Sequence, residues 1–428
     1  MRTFGCFVCK SFLLGMTSIV LLSGCSLLPS FHPRLEGNRA FIVYWPPAET
    51  NQLTLAVKDN IDVKGVVTTA GSKLLDMTGK PAKEDAACLA IARQRNVQIV
   101  GKANLSEFAV APSGFNEYFG TPPSPLSNSR KLLPGGSSCG SAVAVASGMA
   151  DVAFGTDTAG SIRVPAAWCG VVGLKTTHGL VSVEGVFPIE PEHLDTVGPM
   201  AKDIAHTVQG MDLLQNGFAQ LYDEAMRAKT FAHEIRVGRL TLEDTDQKID
   251  RAVDQALAKT GFQVVQLDAG FRKEWEQAKK DGNTIAAAGA WLSDNRFRYA
   301  WGVSARTKSA IRVGLIAFRT SYHEALGRQA GWQNTLKEIF QKVDFIALPT
   351  VQRTPPMMPL NLKIGFMEAR VLDMQNTVAV NFAGNPALAL PIPLHDEVAV
   401  TSLQLIGPRL SEAQLLNAGR LVETAVKK

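Results

Sequence analysis

The sequence predicts an α/β fold in which helices cover both faces of a mixed β-sheet. Apolar segments of strand length alternate with segments of helical spacing, which is the order typical of an α/β sandwich. Hydrophobic residues make up 46% of the 428 residues and charged residues 19%, a balance that supports a large buried core. No internal repeat or low-complexity tract interrupts the chain. We therefore expect one domain from residue 41 to residue 428.

The alternation is clearest in the first half of the chain. The fold is expected to begin either with the apolar run at 41–44 or with the run at 53–57, and the latter is predicted to be a strand. A helix is expected at 84–96, where alanine, leucine and isoleucine recur at helical spacing, with acidic residues first and arginines last. A strand follows at 97–100. The same order then continues with one helix and two strands, at 142–149, 151–154 and 171–174.

The second half is expected to contain longer helices. Their apolar spacing predicts helices at 248–259, 276–293, 311–339 and 412–427. A loop is expected near Gly327 within the third of these. A strand is predicted at 235–238. Strands at 343–349 and 403–408 are expected only because these residues resemble late strands of the family described below.

The first 24 residues are predicted to be an export signal. Arg2 and Lys10 give it a positive start, and its apolar core at 12–22 is too short to span a bilayer. The core ends in Leu-Ser-Gly-Cys, which resembles a bacterial lipobox and implies a lipid on Cys25 after cleavage. The alternatives are a secretory signal with a chance cysteine and an uncleaved short anchor.

Lipidation of Cys25 implies a protein of the cell envelope, held to a membrane that faces the periplasm or the cell exterior. Residues 25–40 would be the tether. Ser26, in place of an acidic residue, favours the outer membrane if the host has two membranes.

Charge and cysteine content exclude several classes of partner. The formal net charge falls from +5 to +3 when the signal is removed, which is too small and too scattered to predict nucleic-acid binding. Besides Cys25, three cysteines remain, Cys88, Cys139 and Cys169, and their spacing suggests no metal site. We predict no cofactor. Two alternatives stay open for these cysteines. Either Cys139 and Cys169 form a disulfide, or all three are buried free thiols.

A glycine- and serine-rich stretch at 134–175 is the strongest functional signal. It holds two turns, at 135–140 and 158–161, where glycine allows successive backbone N–H groups to converge on an anion. An ordinary loop is the alternative, and a P-loop is excluded because no Gly-Lys-Ser/Thr follows. Residues 136–140 also match the esterase elbow G-x-S-x-G around Ser138. That elbow should follow a buried strand, whereas the residues before it are polar.

Three motifs and an upstream lysine resemble the amidase signature family of serine hydrolases. These are GGSSCGSA at 135–142, GTDTAGSIRVPA at 155–166, CGVVGLK at 169–175 and the lysine within LAVKDNI at 55–61. The resemblance extends over residues 53–425 and implies an α/β/α sandwich around a mixed β-sheet. The chain departs from the family in its short segment before the first strand. It also carries Cys139 and Ala159 where the family usually has glycines.

The resemblance implies a catalytic triad of lysine, bridging serine and nucleophilic serine, at Lys58, Ser137 and Ser161. The bridging serine of the family follows a cis peptide, here Gly136–Ser137. Lysine is a base only when neutral, and burial can lower its pKa from about 10.4 by several units.

Around this triad the resemblance implies an oxyanion hole made by the backbone N–H groups of Thr158, Ala159, Gly160 and Ser161. Ser138, Asp157 and Arg163 would support the two turns.

The predicted function is a lipid-anchored serine amidase. It would hydrolyse a small-molecule carboxylic amide to the acid and an amine or ammonia, through an acyl-enzyme on Ser161. Two alternatives are an α/β-hydrolase-like esterase that uses Ser138 with His395, and a catalytically inactive substrate-binding lipoprotein. Amidotransferase glutaminase subunits of the family are cytosolic, so the export signal disfavours that role. The identity of the amide and the oligomeric state stay open.

Overall fold

An eleven-stranded mixed sheet organises the described part of the chain. The computed structural model describes residues 39–48, 51–359, 364–396 and 398–427. The strands are β1 (Phe41–Tyr44), β2 (Thr54–Lys58), β3 (Gln98–Ala103), β4 (Val152–Asp157), β5 (Val172–Lys175), β6 (Thr196–Ala201), β7 (Arg236–Arg239), β8 (Gln263–Gln266), β9 (Phe345–Pro349), β10 (Ala387–Pro393) and β11 (Val400–Ile406). Their order across the sheet is β1-β3-β2-β4-β6-β5-β10-β11-β9-β7-β8.

Helices lie between most of these strands. They are α1 (Lys73–Thr78), α2 (Ala90–Gln94), α3 (Cys139–Ala146), α4 (Arg163–Cys169), α5 (Ile204–Asp212), α6 (Phe218–Ala228), α7 (Gln247–Thr260), α8 (Ala269–Asp294), α9 (Ala305–Thr320), α10 (Tyr322–Lys342), α11 (Ile364–Asp373), α12 (Val378–Ala383) and α13 (Glu412–Val426). Within the described ranges, no helix has both the length and the apolar character needed to cross a membrane.

Parallel pairing of three neighbouring strands brings their ends together. β2 pairs in parallel with β3 and β4, whereas β4 and β6 pair antiparallel. The carboxyl ends of parallel strands meet at one edge, where open α/β sheets bind their ligands. Lys58 is the last residue of β2, so its side chain starts at this edge.

The two faces of the sheet differ in side-chain size. Leu55 and Val57 of β2 belong to the large core with α5, α6, α7 and α13, while Ala56 between them packs with α3 and α4. This alternation follows the period of two in a strand. The small residues allow close approach, since a Cβ on Gly173 of β5 would lie 2.7 Å from Cβ of Ala166 in α4. The predicted α/β sandwich with a mixed sheet is confirmed.

Two predicted helices differ from the structure. The helix expected at 84–96 is reduced to a 3₁₀ turn (Ala87–Leu89) and α2, because Ala86 is extended and donates its N–H to Asp62. The break expected near Gly327 lies instead at Ser321, between α9 and α10. Gly327 lies within α10, where one glycine costs only about 1 kcal/mol.

The proposed signal peptide at 1–24 and Cys25 lie outside the described residues. The domain boundaries at residues 24 and 40 therefore stay predictions.

Candidate active site

Lys58 is a fully buried lysine directed at the first glycine-rich turn. Its Nζ donates hydrogen bonds of 2.7 Å to Ser137 Oγ and 2.7 Å to Thr156 Oγ1. Burial lowers the pKa of Lys58 from 10.5 to about 7, against the opposing attraction of acidic neighbours that include Asp157 and Asp195. About half of the Lys58 side chains are therefore neutral near pH 7, and the neutral amine is the form that acts as a base.

The first turn holds Ser137 through its backbone. The Gly136–Ser137 peptide bond is cis, and Ser137 O accepts a hydrogen bond from Ser106 N at 3.2 Å. Gly136 N donates to Pro112 O at 2.8 Å. A Cβ on Gly136 would lie 2.5 Å from Gly114 N, so only glycine fits between these two chain segments.

The second turn, residues 158–161, connects β4 to α4 and presents unpaired backbone N–H groups. In the described part of the chain, no hydrogen bond is recorded from the backbone N–H of the four residues predicted to form the oxyanion hole, Thr158, Ala159, Gly160 and Ser161. Gly160 has φ +138°, and a Cβ there would overlap Thr377 Oγ1. Glycine is therefore required at this position.

Ser161 is half-buried and lies next to the first turn. Its carbonyl oxygen accepts a hydrogen bond from Ser138 N at 3.2 Å. Among the described residues, no hydrogen bond is recorded for Ser161 Oγ, so the structure brings Lys58 and Ser137 together but does not join Ser137 to Ser161 by a side-chain bond.

Asp157 and Arg163 form a buried ion pair beneath the second turn. Asp157 accepts from Arg163 Nε at 3.0 Å, from Arg163 Nη2 at 2.9 Å and from Ile162 N at 3.1 Å. Burial alone would raise the pKa of Asp157, but the Arg163 guanidinium lowers it to about 2. Arg163 also bonds Asn381 Oδ1 and Gln404 Oε1, which ties the turn to α12 and β11. No motif in the sequence indicates these two distant partners.

The side chains of Thr158 and Thr377 orient the second turn. No motif in the sequence indicates these roles. Thr158 Oγ1 donates to Asp195 Oδ1 at 2.6 Å, and Asp195 Oδ2 accepts from two backbone N–H groups. Thr377 Oγ1 donates to Ala159 O at 2.5 Å. In a planar trans peptide the C=O and the next N–H point in opposite directions. Thr377 therefore turns the N–H of Gly160 away from itself.

Replacing Thr377 with valine should lower kcat by about 10- to 10²-fold with little change in KM, because the Gly160 N–H loses its fixed direction. Thr377→Ser keeps the hydroxyl and should restore most of kcat. Steady-state kinetics on one hydrolysed amide measure both variants. A loss of kcat in Thr377→Ser, with kcat retained in Thr377→Val, would show that the methyl group, and not the hydrogen bond, matters.

Ser138 and His395, the residues of the esterase alternative, are not joined by a hydrogen bond in the described residues. Ser138 is fully buried at the start of α3, and its Oγ donates to Thr156 O at 3.3 Å. His395 is exposed in the turn between β10 and β11. No hydrogen bond between the two is recorded within the described ranges.

The three cysteines in the described residues are buried free thiols. Cys139 Sγ contacts Asn104 O at 3.6 Å and Cys169 Sγ contacts Pro134 O at 3.4 Å, so the Cys139–Cys169 disulfide is absent from the described structure. Burial raises the pKa of Cys139 to about 12. These thiols are therefore poor nucleophiles.

A second buried lysine, not identified from the sequence, lies near the site. Lys175 ends β5, and its Nζ donates to Thr176 O at 2.7 Å and to Asn385 O at 2.8 Å. Burial, together with repulsion from Arg163, lowers its pKa to about 7. Because its recorded partners are backbone carbonyl groups rather than a serine hydroxyl, Lys175 has no proton donor to activate.

Known proteins share both the sequence and the fold of this chain. A model of the Amidase family matches residues 52–416. A subunit of a glutamyl-tRNA(Gln) amidotransferase of Clostridium acetobutylicum is 30% identical over 413 residues, which cover 87% of this chain and 84% of that protein. The 2-amino-5-chloromuconic acid deaminase of Comamonas testosteroni is 34% identical over 392 residues, with 87% and 81% covered.

A solved structure of a related protein has a similar fold. An inhibitor-bound complex that concerns the evolutionary origins of an s-triazine catabolic enzyme matches with a TM-score of 0.75 and 26% identity, covering 87% of this chain and 83% of that one. The site and the sandwich together define an amide hydrolase that acts on C–N bonds. The chain belongs to the Amidase family, as its motifs indicated.

Proposed function

We propose that this enzyme is a serine amidase in which Lys58 is the base, Ser137 the bridging residue and Ser161 the nucleophile. One observation supports the proposal most strongly. A fully buried lysine with a pKa lowered to about 7 has its Nζ 2.7 Å from a serine hydroxyl, Ser137 Oγ. Serine is a weak nucleophile unless a base removes its proton, and the neutral amine of Lys58 supplies that base.

We propose a proton path from Ser161 through Ser137 to Lys58, of which the hydrogen bond between Ser137 and Lys58 is present in the structure. As Ser161 Oγ bonds to the amide carbon, its proton passes to Ser137 Oγ, and the proton of Ser137 passes to Nζ of Lys58. The electron pair of the C=O bond moves onto its oxygen. Lys58 then returns a proton through Ser137 to the amide nitrogen, the C–N bond breaks and the amine leaves. Water releases the acid from Ser161 by the same relay.

The hydroxyl of Thr156 assists Lys58 in this proposal. Lys58 Nζ donates to Thr156 Oγ1 at 2.7 Å, which fixes one N–H direction. The lone pair of the neutral amine is then free to face Ser137.

The backbone N–H groups at 158–161 would stabilise the charge on the carbonyl oxygen. They are unpaired within the described residues, and they follow a strand end held by the Asp157–Arg163 ion pair. Each well-placed donor in such a hole is worth about 10²–10³ in rate.

The substrate that we propose is a small-molecule carboxylic amide. The relatives named above include a deaminase named for a small organic acid, 2-amino-5-chloromuconic acid, which supports a small-molecule substrate. Another belongs to an amidotransferase, and we do not extend that role to this chain because of its predicted export signal. Release of ammonia or amine from aliphatic, aryl and peptide amides tests the proposal, with Ser161→Ala as the blank. Equal release by both proteins on every amide would contradict it.

We further propose that the enzyme works in the cell envelope, held to a membrane by lipid on Cys25. The support is the positive start, the short apolar core and the Leu-Ser-Gly-Cys ending of residues 1–25. Several acyl chains on one cysteine would give firm attachment.

Cys25→Ala should therefore move the enzyme from the membrane fraction to the soluble fraction, since the attachment atom is lost. Radiolabelled palmitate should enter the unmodified protein but not Cys25→Ala. Cys88→Ala is the matched control and should stay membrane-bound and labelled. Equal palmitate incorporation in Cys25→Ala and in the unmodified protein would overturn the lipidation proposal.

A further inference from the structure

Two exposed aromatic side chains lie in the connection between α8 and α9, each beside basic side chains. Trp301 is 66% exposed and Tyr299 is 75% exposed. Lys73 Nζ lies 4.9 Å from the ring centre of Trp301. Arg298 and Arg312 approach the ring centre of Tyr299 to 5.0 and 6.0 Å. The aromatic faces are therefore accompanied by positive charge.

Apolar side chains extend this surface on both sides. Met77 is 57% exposed in α1, one turn after Lys73, and Ile316 is 62% exposed in α9, one turn after Arg312. Together these residues form what we call the aromatic patch: Lys73, Met77, Tyr299, Trp301, Arg312 and Ile316. Exposed groups of large apolar side chains on a folded domain mark interaction surfaces.

Within the described residues, the two charges of the patch form no ion pair. This holds for Lys73 and Arg312, and also for the adjacent Arg298. The neighbouring Asp76 accepts a hydrogen bond from Tyr118 OH at 2.7 Å. The partner of the patch should therefore be apolar and anionic at once.

The described chain begins beside this patch. Asn104 Nδ2 donates to the carbonyl groups of both Arg39 and Gly120, which holds residue 39 next to the segment that contains Tyr118. The ring centre of Tyr118 lies 5.9 Å from Nζ of Lys73. Thirteen residues lie between Cys25 and Arg39, and the chain between these two residues reaches about 50 Å at most. A lipid on Cys25 would thus keep the patch close to the bilayer.

We propose that the aromatic patch docks on the headgroup region of an anionic phospholipid membrane; this rests on the proposed envelope location. Tryptophan and tyrosine favour the membrane–water interface, and lysine and arginine near it are attracted to anionic lipids. The tether itself is a poorer occupant, since residues 26–38 carry one arginine and one glutamate and offer no negative surface. A second copy of the chain would bring its own positive patch against this one.

Quenching of tryptophan emission by brominated lipid tests the docking. The purified full-length protein is mixed with vesicles of phosphatidylglycerol and brominated phosphatidylcholine, and its emission is compared with unbrominated vesicles. Emission should be quenched in the unmodified protein, and at least half of that quenching should be lost in Trp301→Phe. Phe231→Ala, which removes an aromatic side chain of similar exposure (60%) outside the patch, should keep it.

The double variant Lys73→Gln/Arg312→Gln tests the charges and should lose most of the quenching on anionic vesicles. Equal quenching of Trp301→Phe and the unmodified protein would overturn the proposal, as would no quenching in either. A stable dimer that Trp301→Ala converts to a monomer, with no quenching, would assign the patch to a second copy instead. Palmitate labelling of Cys25 is a separate readout, so failure of the anchor and failure of the patch are distinguished.

Discussion

Replacing Ser161 with alanine is expected to lower kcat/KM for amide hydrolysis by on the order of 10⁴–10⁶, because the atom that forms the acyl-enzyme is gone. Ser161 is half-buried on the surface of the turn, so its loss should leave the fold intact. The measurement is steady-state kinetics on one hydrolysed amide, with circular dichroism to confirm folding.

Ser138→Ala is the matched control for this loss. It removes a hydroxyl whose recorded bond is to Thr156 O, so the variant should retain most of its activity. Ser137→Ala and Lys58→Ala interrupt one proton path, and their double variant should be little worse than the poorer single variant. An inactive Ser138→Ala beside an active Ser161→Ala would assign the nucleophile to the G-x-S-x-G turn.

The second large effect is the pH dependence of kcat/KM. Only neutral Lys58 accepts a proton, and its pKa is lowered to about 7 by burial. The rate constant should therefore rise as the pH increases through the folded pKa and stay high at alkaline pH. Two pH units below the pKa it should be lower by about 10²-fold. The pH profile of kcat/KM from acid to alkaline conditions measures this directly.

Two kinds of control assign that profile to Lys58. Lys175 has the same lowered pKa of about 7, but it donates to backbone carbonyl groups, so Lys175→Met should keep the midpoint of the profile provided that it folds. Variants of His178, His193 and His395 should keep it as well. A midpoint that moves in Lys175→Met, or a loss of about 10³-fold in one of the histidine variants, would identify a different base.

Much of the fold could be predicted because it is a local property of the sequence. The alternation in Leu55, Ala56 and Val57 separates the two faces of the sheet, and the strand at 53–57 was predicted. The errors arose where tertiary contacts outweighed local preference. Ala86 pairs with Asp62 and shortens the helix predicted at 84–96, and Gly327 is tolerated within α10.

The site was predictable where its residues lie within short motifs. The contact between Lys58 and Ser137 joins residues 79 positions apart, and only the resemblance to a family connected them. Thr377, Asn381 and Gln404 support the second turn from more than 200 positions away. None of these three residues lies in a sequence motif that indicates its role, because a hydrogen bond between distant positions does not produce a characteristic local spacing.

Labelling with a fluorophosphonate, followed by mass spectrometry of the digested protein, tests the central claim most directly. The probe forms a stable bond to an activated serine, so it reports the nucleophile without knowledge of the substrate. We expect the adduct on Ser161 in the unmodified protein and in Ser138→Ala, faster labelling above the pKa of Lys58, and no adduct in Ser161→Ala. An adduct on Ser138, or unchanged labelling of Ser161→Ala, would contradict the assignment of Ser161 as the nucleophile.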